Sequence, residues 1–275
     1  MNRLGIEFLT VLGLPPVDFV RLAGKLECRH ISAMLDGSYV NPNDYPAFDL
    51  RTDRAMRADF MSALQDEGVS ISLGEGFLVR ADGDVRALTG DLDLMRSLGA
   101  TRVNIVSMDP DLQRTLDQYA IFAELAASAG MEEVVIEFAP VLTIRDLPMA
   151  VEAVRHVGRP DFRLLIDTMH LCRTGGTAAD IAALDPALIG YIQLCDAPSV
   201  PPIDDYMQES MTERLSPGEG DFPLADIFAA LPDDRIVSLE VPQCAKALAG
   251  QSRRERIEPM LAATRDLLAR IRRPD

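Results

Sequence analysis

The sequence predicts an α/β protein built as a single (β/α)8 barrel, and three observations predict it. Short β-rich apolar runs alternate with longer segments of helical period, the pattern of a parallel sheet covered by helices. Eight such runs follow one another without a break. The chain has 275 residues, 48% of them hydrophobic, which is just above the size typical of one such barrel and enough to bury a large core. No Gly/Ser-rich linker, low-complexity tract or internal repeat divides it, so residues 1–275 read as one domain.

The predicted strands cover residues 4–9, 30–35, 69–73, 102–107, 133–138, 163–166, 189–194 and 235–239. Helix punctuation falls between them. Pro15 and Pro16 precede VDFVRLAGKL, Thr52 and Asp53 precede RAMRADFMSALQDE with Gly68 behind it, and Gly130 closes LDQYAIFAELAASA. The stretch SRRERIEPMLAATRDLLARIRR carries apolar residues at spacings of three and four, which predicts the last barrel helix rather than a basic arm for nucleic acid. The longest interruption, SVPPIDDYMQESMTERLSPGEGDFP, lies between the seventh strand and its helix. A loop of that length at this place in a barrel is expected to be a lid or a substrate wall.

Composition removes several functions. The formal charge of −16 opposes a polyanionic partner, so nucleic acid is not expected. Nowhere do about 18 consecutive apolar residues occur, and the start lacks the features of a secretory signal, so neither a membrane span nor export is expected. Cys28, Cys172, Cys195 and Cys244 are too few and too scattered for a disulfide framework and read as reduced thiols in a cytoplasm. Lys25 and Lys246, the only lysines, lie in the first helix and beyond the eighth strand, which disfavours Schiff-base chemistry.

In a parallel barrel the chemistry gathers where strands end. The last four predicted strands each place a polar group directly behind an apolar run: Glu137 in VVIEFAP, Asp167 and His170 in LLIDTMH, Gln193 and Asp196 in YIQLCDAP, and Glu240 in VSLEVP. Three carboxylates converging in a barrel interior would be desolvated and mutually repelled, and one divalent cation relieves both penalties. Glu137, Asp167, Gln193 and Glu240 form a hard, oxygen-rich donor set that suits Mn2+ or Mg2+, with Co2+ as a further candidate. Any one of these residues alone would be read as a helix cap or a satisfied buried group. His170 is the only one of the three histidines near a strand end of this site, where it would bind a substrate hydroxyl or relay a proton; His156 on a helix reads as structural. Asp196 would orient His170, bind substrate, or cap the turn before Pro198. Arg80, after GEGFLVR, would receive a substrate carboxylate.

At these residues the sequence resembles the xylose isomerase-like TIM barrels, the superfamily of sugar phosphate isomerases and epimerases, ketose 3-epimerases, inosose isomerases and dehydratases, and endonuclease IV. The DxxH of LLIDTMHLCRTGG, joined in order to the IEF, IQLCD and SLE strand ends, carries the resemblance. The usual metal set there is Glu, Asp, His and Glu, so Glu137, Asp167 and Glu240 match while Gln193 departs. Bacterial 3-dehydroshikimate dehydratases of the superfamily are similar in having Gln there, and ESMTERLSPGEGDFP resembles their long loop, which makes Ser210 and Arg214 substrate-binding groups by resemblance. Dimers and tetramers are usual in the superfamily, so a homo-oligomer is compatible with the likeness.

The resemblance implies a metal-dependent isomerase or epimerase working through an enediolate on a keto-sugar, inosose or related compound. Glu137 and Glu240 would stand on the two faces of the substrate as base and acid. The alternative is a metal-dependent dehydratase of a cyclic keto acid, because isomerisation and dehydration share the first proton abstraction. A non-catalytic barrel subunit is the remaining class, invited by Gln193. The three-zinc endonuclease is excluded by three histidines and a charge of −16. TGGT at 174–177 offers amides before a helix but has no cluster of basic residues around it, so an unphosphorylated substrate is expected.

Overall fold

The computed structural model describes residues 3–37 and 40–271. Its strands are β1 (Leu4–Ile6), β2 (His30–Ala33), β3 (Ser70–Val79), β4 (Arg102–Ser107), β5 (Glu133–Ile136), β6 (Phe162–Asp167), β7 (Ile189–Leu194) and β8 (Val237–Leu239). They pair in sequence order, all parallel, and β1 pairs β8 to close the barrel. The helices are α1 (Pro16–Lys25), α2 (Arg54–Glu67), α3 (Thr89–Ser97), α4 (Leu112–Ser128), α5 (Leu147–Val157), α6 (Thr168–Arg173), α7 (Ala178–Ala182), α8 (Tyr206–Thr212), α9 (Leu224–Ala230), α10 (Cys244–Leu248) and α11 (Arg253–Ile271). This is the predicted fold class.

Local chemistry explains most boundaries. Asp53 accepts the Met56 amide at 2.9 Å to start α2, and Gly68 ends it with φ +60°. The final helix α11 turns Ile257, Met260, Leu261, Thr264 and Leu267 inward at helical spacing, as expected of a barrel helix; residues 272–273 of that predicted segment lie outside the described residues. β4 and β7 run over the predicted residues. β1 is shorter than predicted, because the chain leaves the ladder for a 3-10 turn at Phe8–Val11.

β3 is longer than predicted, and the reason bears on the site. Gly74 faces Val103 and Phe77 faces Ile105, so β3 carries one more residue than β4 across this interval. Gly76 absorbs the bulge at φ +96°, a backbone conformation that side-chain-bearing residues seldom adopt. The bulge puts Glu75 inside the strand rather than in the loop after it.

Two layers of core result from strand alternation. Val134 and Ile136 join the large core between strands and helices, while Val135 joins Leu73, Leu165 and Tyr191 in a small cluster filling the barrel. At the bottom of the barrel Glu133 is ion-paired with Arg102 and, at 3.0 Å, with Arg163. No helix among the described residues is long and apolar enough to cross a membrane.

The β1–β8 seam is fastened by Thr10, whose buried hydroxyl donates to the Leu239 carbonyl at 2.7 Å and accepts from the Val241 amide at 2.8 Å. Thr10→Val keeps the side chain's shape but removes both bonds and strands the Val241 amide, while the Leu239 carbonyl keeps the Glu7 amide at 2.9 Å, so urea unfolding should show a loss of about 2 kcal/mol, within the range for a stranded buried polar group.

Candidate active site

The four strand ends singled out in the sequence converge at the barrel mouth. Asp167 and Gln193 occupy facing register positions on β6 and β7 and are buried, and Glu137 and Glu240 follow β5 and β8 directly. Asp167 owes its direction to a local cap. Its Oδ1 accepts the amides of Met169 at 2.6 Å and His170 at 3.0 Å, starting α6 and leaving Oδ2 turned towards the mouth. Thr168 locks this turn to the next strand, donating to the Cys195 carbonyl at 2.8 Å and accepting its amide at 3.0 Å.

A guanidinium stands between the carboxylates. Nη1 of Arg214 lies 2.7 Å from Asp167 Oδ2 and 2.9 Å from Glu240 Oε2, and the residue is 3% exposed. Burial alone would raise the Asp167 pKa, but the charges of Arg214 and His170 outweigh it and hold the carboxyl well below the usual range. For Glu240 the balance is reversed: burial dominates the attraction of Arg214, and the pKa is pushed well above the ordinary value. Arg214 is itself held by the long loop, its Nε donating to the Ser210 carbonyl at 2.7 Å and its amide to the Pro242 carbonyl at 2.9 Å. That loop is folded: it carries α8, pairs Leu215 with Asp196 and Glu213 with Gln243, and is tied to α6 by a buried Arg173–Glu209 ion pair at 2.6 Å.

His170 connects the other carboxylate. Its Nε2 lies 3.0 Å from Glu137 Oε1, and its Nδ1 is hydrogen-bonded to the Tyr206 hydroxyl on α8. Glu137 Oε2 also accepts from the Asn104 amide at 3.0 Å. A chain Tyr206–His170–Glu137 therefore runs along one side of the mouth, able to move a proton between the loop and the Glu137 carboxylate.

A cavity of about 230 Å3 opens over these groups. Its wall includes Glu137, His170, Arg214 and Glu240, with Ser210 and Arg80 also lining it. The Ser210 hydroxyl donates to the Met207 carbonyl at 3.2 Å. Asp196 is not brought to this wall. Its Oδ1 accepts the amides of Ala197 and Phe222 at 2.9 and 3.1 Å, and its Oδ2 accepts that of Gly218 at 2.9 Å, so the carboxylate organises the loop backbone instead of facing His170 or the cavity. TGGT forms a capping box, with Thr177 and Asp180 exchanging hydrogen bonds ahead of α7.

A second acidic pair was not read from the sequence. Glu7, directly after β1, and Glu75, on the β3 bulge, are neighbours inside the barrel, and Glu75 lines the cavity. Glu7 Oε1 accepts from the Tyr191 hydroxyl at 2.9 Å, which in turn meets Ser72 at 2.9 Å. For Glu7 the signal was present, because LGIE ends an apolar run as VVIE does. Glu75 was hidden by the bulge, and Asn104 and Tyr206 carry no sequence signal that separates them from ordinary strand and loop residues.

The donors fit a divalent cation. Ligand atoms of Glu137, Asp167 and His170 all lie within 4.8 Å of one another, and the buried Gln193 Oε1 faces no donor while its Nε2 reaches Glu240 Oε1 at 3.4 Å. An orphaned amide oxygen beside three carboxylates is the environment a hard cation completes.

A closed parallel barrel with acidic strand ends gathered at one mouth defines the class of (β/α)8 proteins whose site lies on the C-terminal face. The family model for the xylose isomerase-like TIM barrel matches residues 20–266, and the chain belongs to that family. Among solved structures, the IolI protein with a bound zinc atom superposes with a TM-score of 0.79 at 17% identity, over 98% of each chain. A xylose isomerase-like TIM barrel/4-hydroxyphenylpyruvate dioxygenase fusion protein gives 0.79 at 18% identity, over 98% of this chain and 43% of that one. D-psicose 3-epimerase in the presence of D-fructose gives 0.71 at 16% identity, over 96% and 99%. No curated protein sequence matches the chain.

Arg214→Met would leave Asp167 and Glu240 buried without their cation. Unfolding free energy in EDTA should fall by about 3–5 kcal/mol, as for other buried pairs that lose one partner. Mn2+ should then raise the melting temperature more in the variant than in the wild type, since no internal cation competes for the carboxylates. An equal metal response in both proteins would count against Arg214 standing in the cation's place.

Proposed function

We propose that the protein is a divalent-metal-dependent enzyme that removes the proton beside the carbonyl of a small polyhydroxylated compound. Reprotonation would make it an isomerase or epimerase of a keto-sugar or inosose, and expulsion of a neighbouring hydroxyl a dehydratase. The observation that carries the shared step is the convergence of Glu137, Asp167 and Glu240, with the unpartnered Gln193 amide oxygen, under a cavity of small-molecule size. The epimerase named among the similar folds supports the same chemistry.

Glu137, Asp167, Gln193 and Glu240 would hold the cation, which oxygen donors select as Mn2+ or Mg2+ ahead of zinc. When bound, it supplies electrostatic stabilisation of the negative charge that develops on the substrate carbonyl oxygen. Glu137 and Glu240 approach the cavity from different strands and would serve as base and acid on the two faces of the substrate, exchanging roles with the direction of reaction. His170, between Glu137 and Tyr206, relays the proton. The four unpaired cysteines suit a cytoplasmic setting.

One observation favours dehydration. Arg214 lines the cavity beside Ser210, and once a metal takes over Asp167 and Glu240 its fork is free for an anionic group. A cyclic keto acid such as 3-dehydroshikimate brings both a carboxylate and a hydroxyl β to the acidified carbon. Arg80 adds positive charge at the cavity wall.

Two measurements test this. Protein purified without chelator should contain metal, and EDTA should lower its melting temperature in a way that Mn2+ or Mg2+ reverses. In deuterated water with Mn2+, a panel of keto-sugars, inososes and 3-dehydroshikimate should yield either deuterium beside the carbonyl or a new conjugated chromophore. Glu240→Gln should lower kcat by at least about 100-fold with the fold intact, the scale for losing a proton-transfer group; undiminished turnover would remove Glu240 from the mechanism.

A further inference from the structure

Elimination of water needs a proton donor for the departing oxygen in addition to the groups that handle the carbon-bound proton. The pair formed by Glu7, directly after β1, and Glu75, on the β3 bulge, supplies one. Glu75 stands on the same cavity wall as Glu137, His170, Arg214 and Glu240, and Glu7 lies behind it with no solvent exposure. Each has one buried oxygen, Glu7 Oε2 and Glu75 Oε1, that no donor reaches. Two adjacent carboxylates would repel and leave both oxygens orphaned, whereas one shared proton lets one carboxyl donate to the other.

Neighbouring groups keep the proton there. Ser32 on β2 and Tyr191 on β7 supply hydroxyls to the pair. The charge of Glu137 bears on Glu75 from the same cavity wall, and Asn104 donates to Glu137 at 3.0 Å. Arg214 is engaged with Asp167 and Glu240, and His170 lies beside Glu137. Burial first, and then the charge of Glu7, push the Glu75 carboxyl well above the ordinary carboxylate range; Glu7 is raised by burial as well.

We propose that Glu75, backed by Glu7, is the acid of this site and protonates the hydroxyl that leaves the substrate. This rests on the dehydratase reading. A site carboxylate takes the proton from the carbon beside the carbonyl, and the electron pair of that C–H bond forms the new C=C bond. The C–O bond breaks with its pair on oxygen, which takes the Glu75 proton and departs as water. Glu75 is left as a carboxylate, and the proton held by the base returns to it through solvent. The net change is loss of one water.

The probe is 3-dehydroshikimate with Mn2+ in deuterated water, comparing wild type with Glu75→Gln. Deuterium incorporation into recovered substrate should persist within about 3-fold, while formation of the conjugated product falls by at least about 100-fold. Equal loss of both, or unchanged elimination, would overturn the assignment. A second readout does not depend on turnover. A carboxyl whose folded pKa is raised makes the protein less stable as pH rises above its unfolded value near 4.5, so at about pH 8 the neutral Glu75→Gln should melt higher than wild type. In carboxyl-13C-glutamate-labelled protein, the resonance absent from Glu75→Gln should read as protonated at neutral pH. A wild type that dehydrates the probe with Glu75 ionised overturns this inference alone. A wild type inert towards it with Glu75 protonated overturns the dehydratase reading, and with it the proton's destination.

Discussion

Arg214, buried between Asp167 and Glu240, is the contact on which the arrangement of the barrel mouth depends. Parallel strands ending at one face bring their terminal side chains within a few ångströms of each other, and here those side chains are acids in a chain of net charge −16. Carboxylates removed from water require a counter-charge at contact distance. The guanidinium supplies it, and the long loop after β7 exists in its folded form partly because it must deliver that group to the mouth.

The same requirement explains how the elements above the barrel fit together. Arg173 and Glu209 fasten α8 to α6, Asp196 gathers the loop backbone through three amides, and Glu213 and Gln243 join the loop to the segment after β8. Each contact lies outside the acidic cluster, yet each fixes where Ser210, Tyr206 and Arg214 can stand. A cation exchanged for Arg214 would leave this frame unchanged and release one fork of donors over the cavity. On the proposed reading, metal binding and substrate binding would be linked through this one side chain.

The site also divides its acids by environment. Asp167, capping α6 and paired with Arg214, is held ionised, while buried Glu7 and half-buried Glu75 beside it are held towards the protonated form. Groups of one chemical type separated in this way can act as ligand, base and acid within one cavity.

The sequence by itself determined the eight-strand order, the closing helix, and the convergence of Glu137, Asp167, Gln193 and Glu240, because strand periodicity and a polar residue behind an apolar run are local signals. It also marked Arg214, through the likeness of its loop to those of dehydratases. Asp196 looked equivalent to the other strand-end acids, and only the folded loop turned it towards backbone amides. Glu75 was invisible because a one-residue bulge centred on Gly76 decides which way it faces, and a bulge is set by pairing with β4. The partnership of Arg214 with two carboxylates and that of Glu7 with Glu75 span 47, 26 and 68 positions of sequence respectively, so only the side-by-side packing of successive strands and the folding of the loop after β7 bring those groups together.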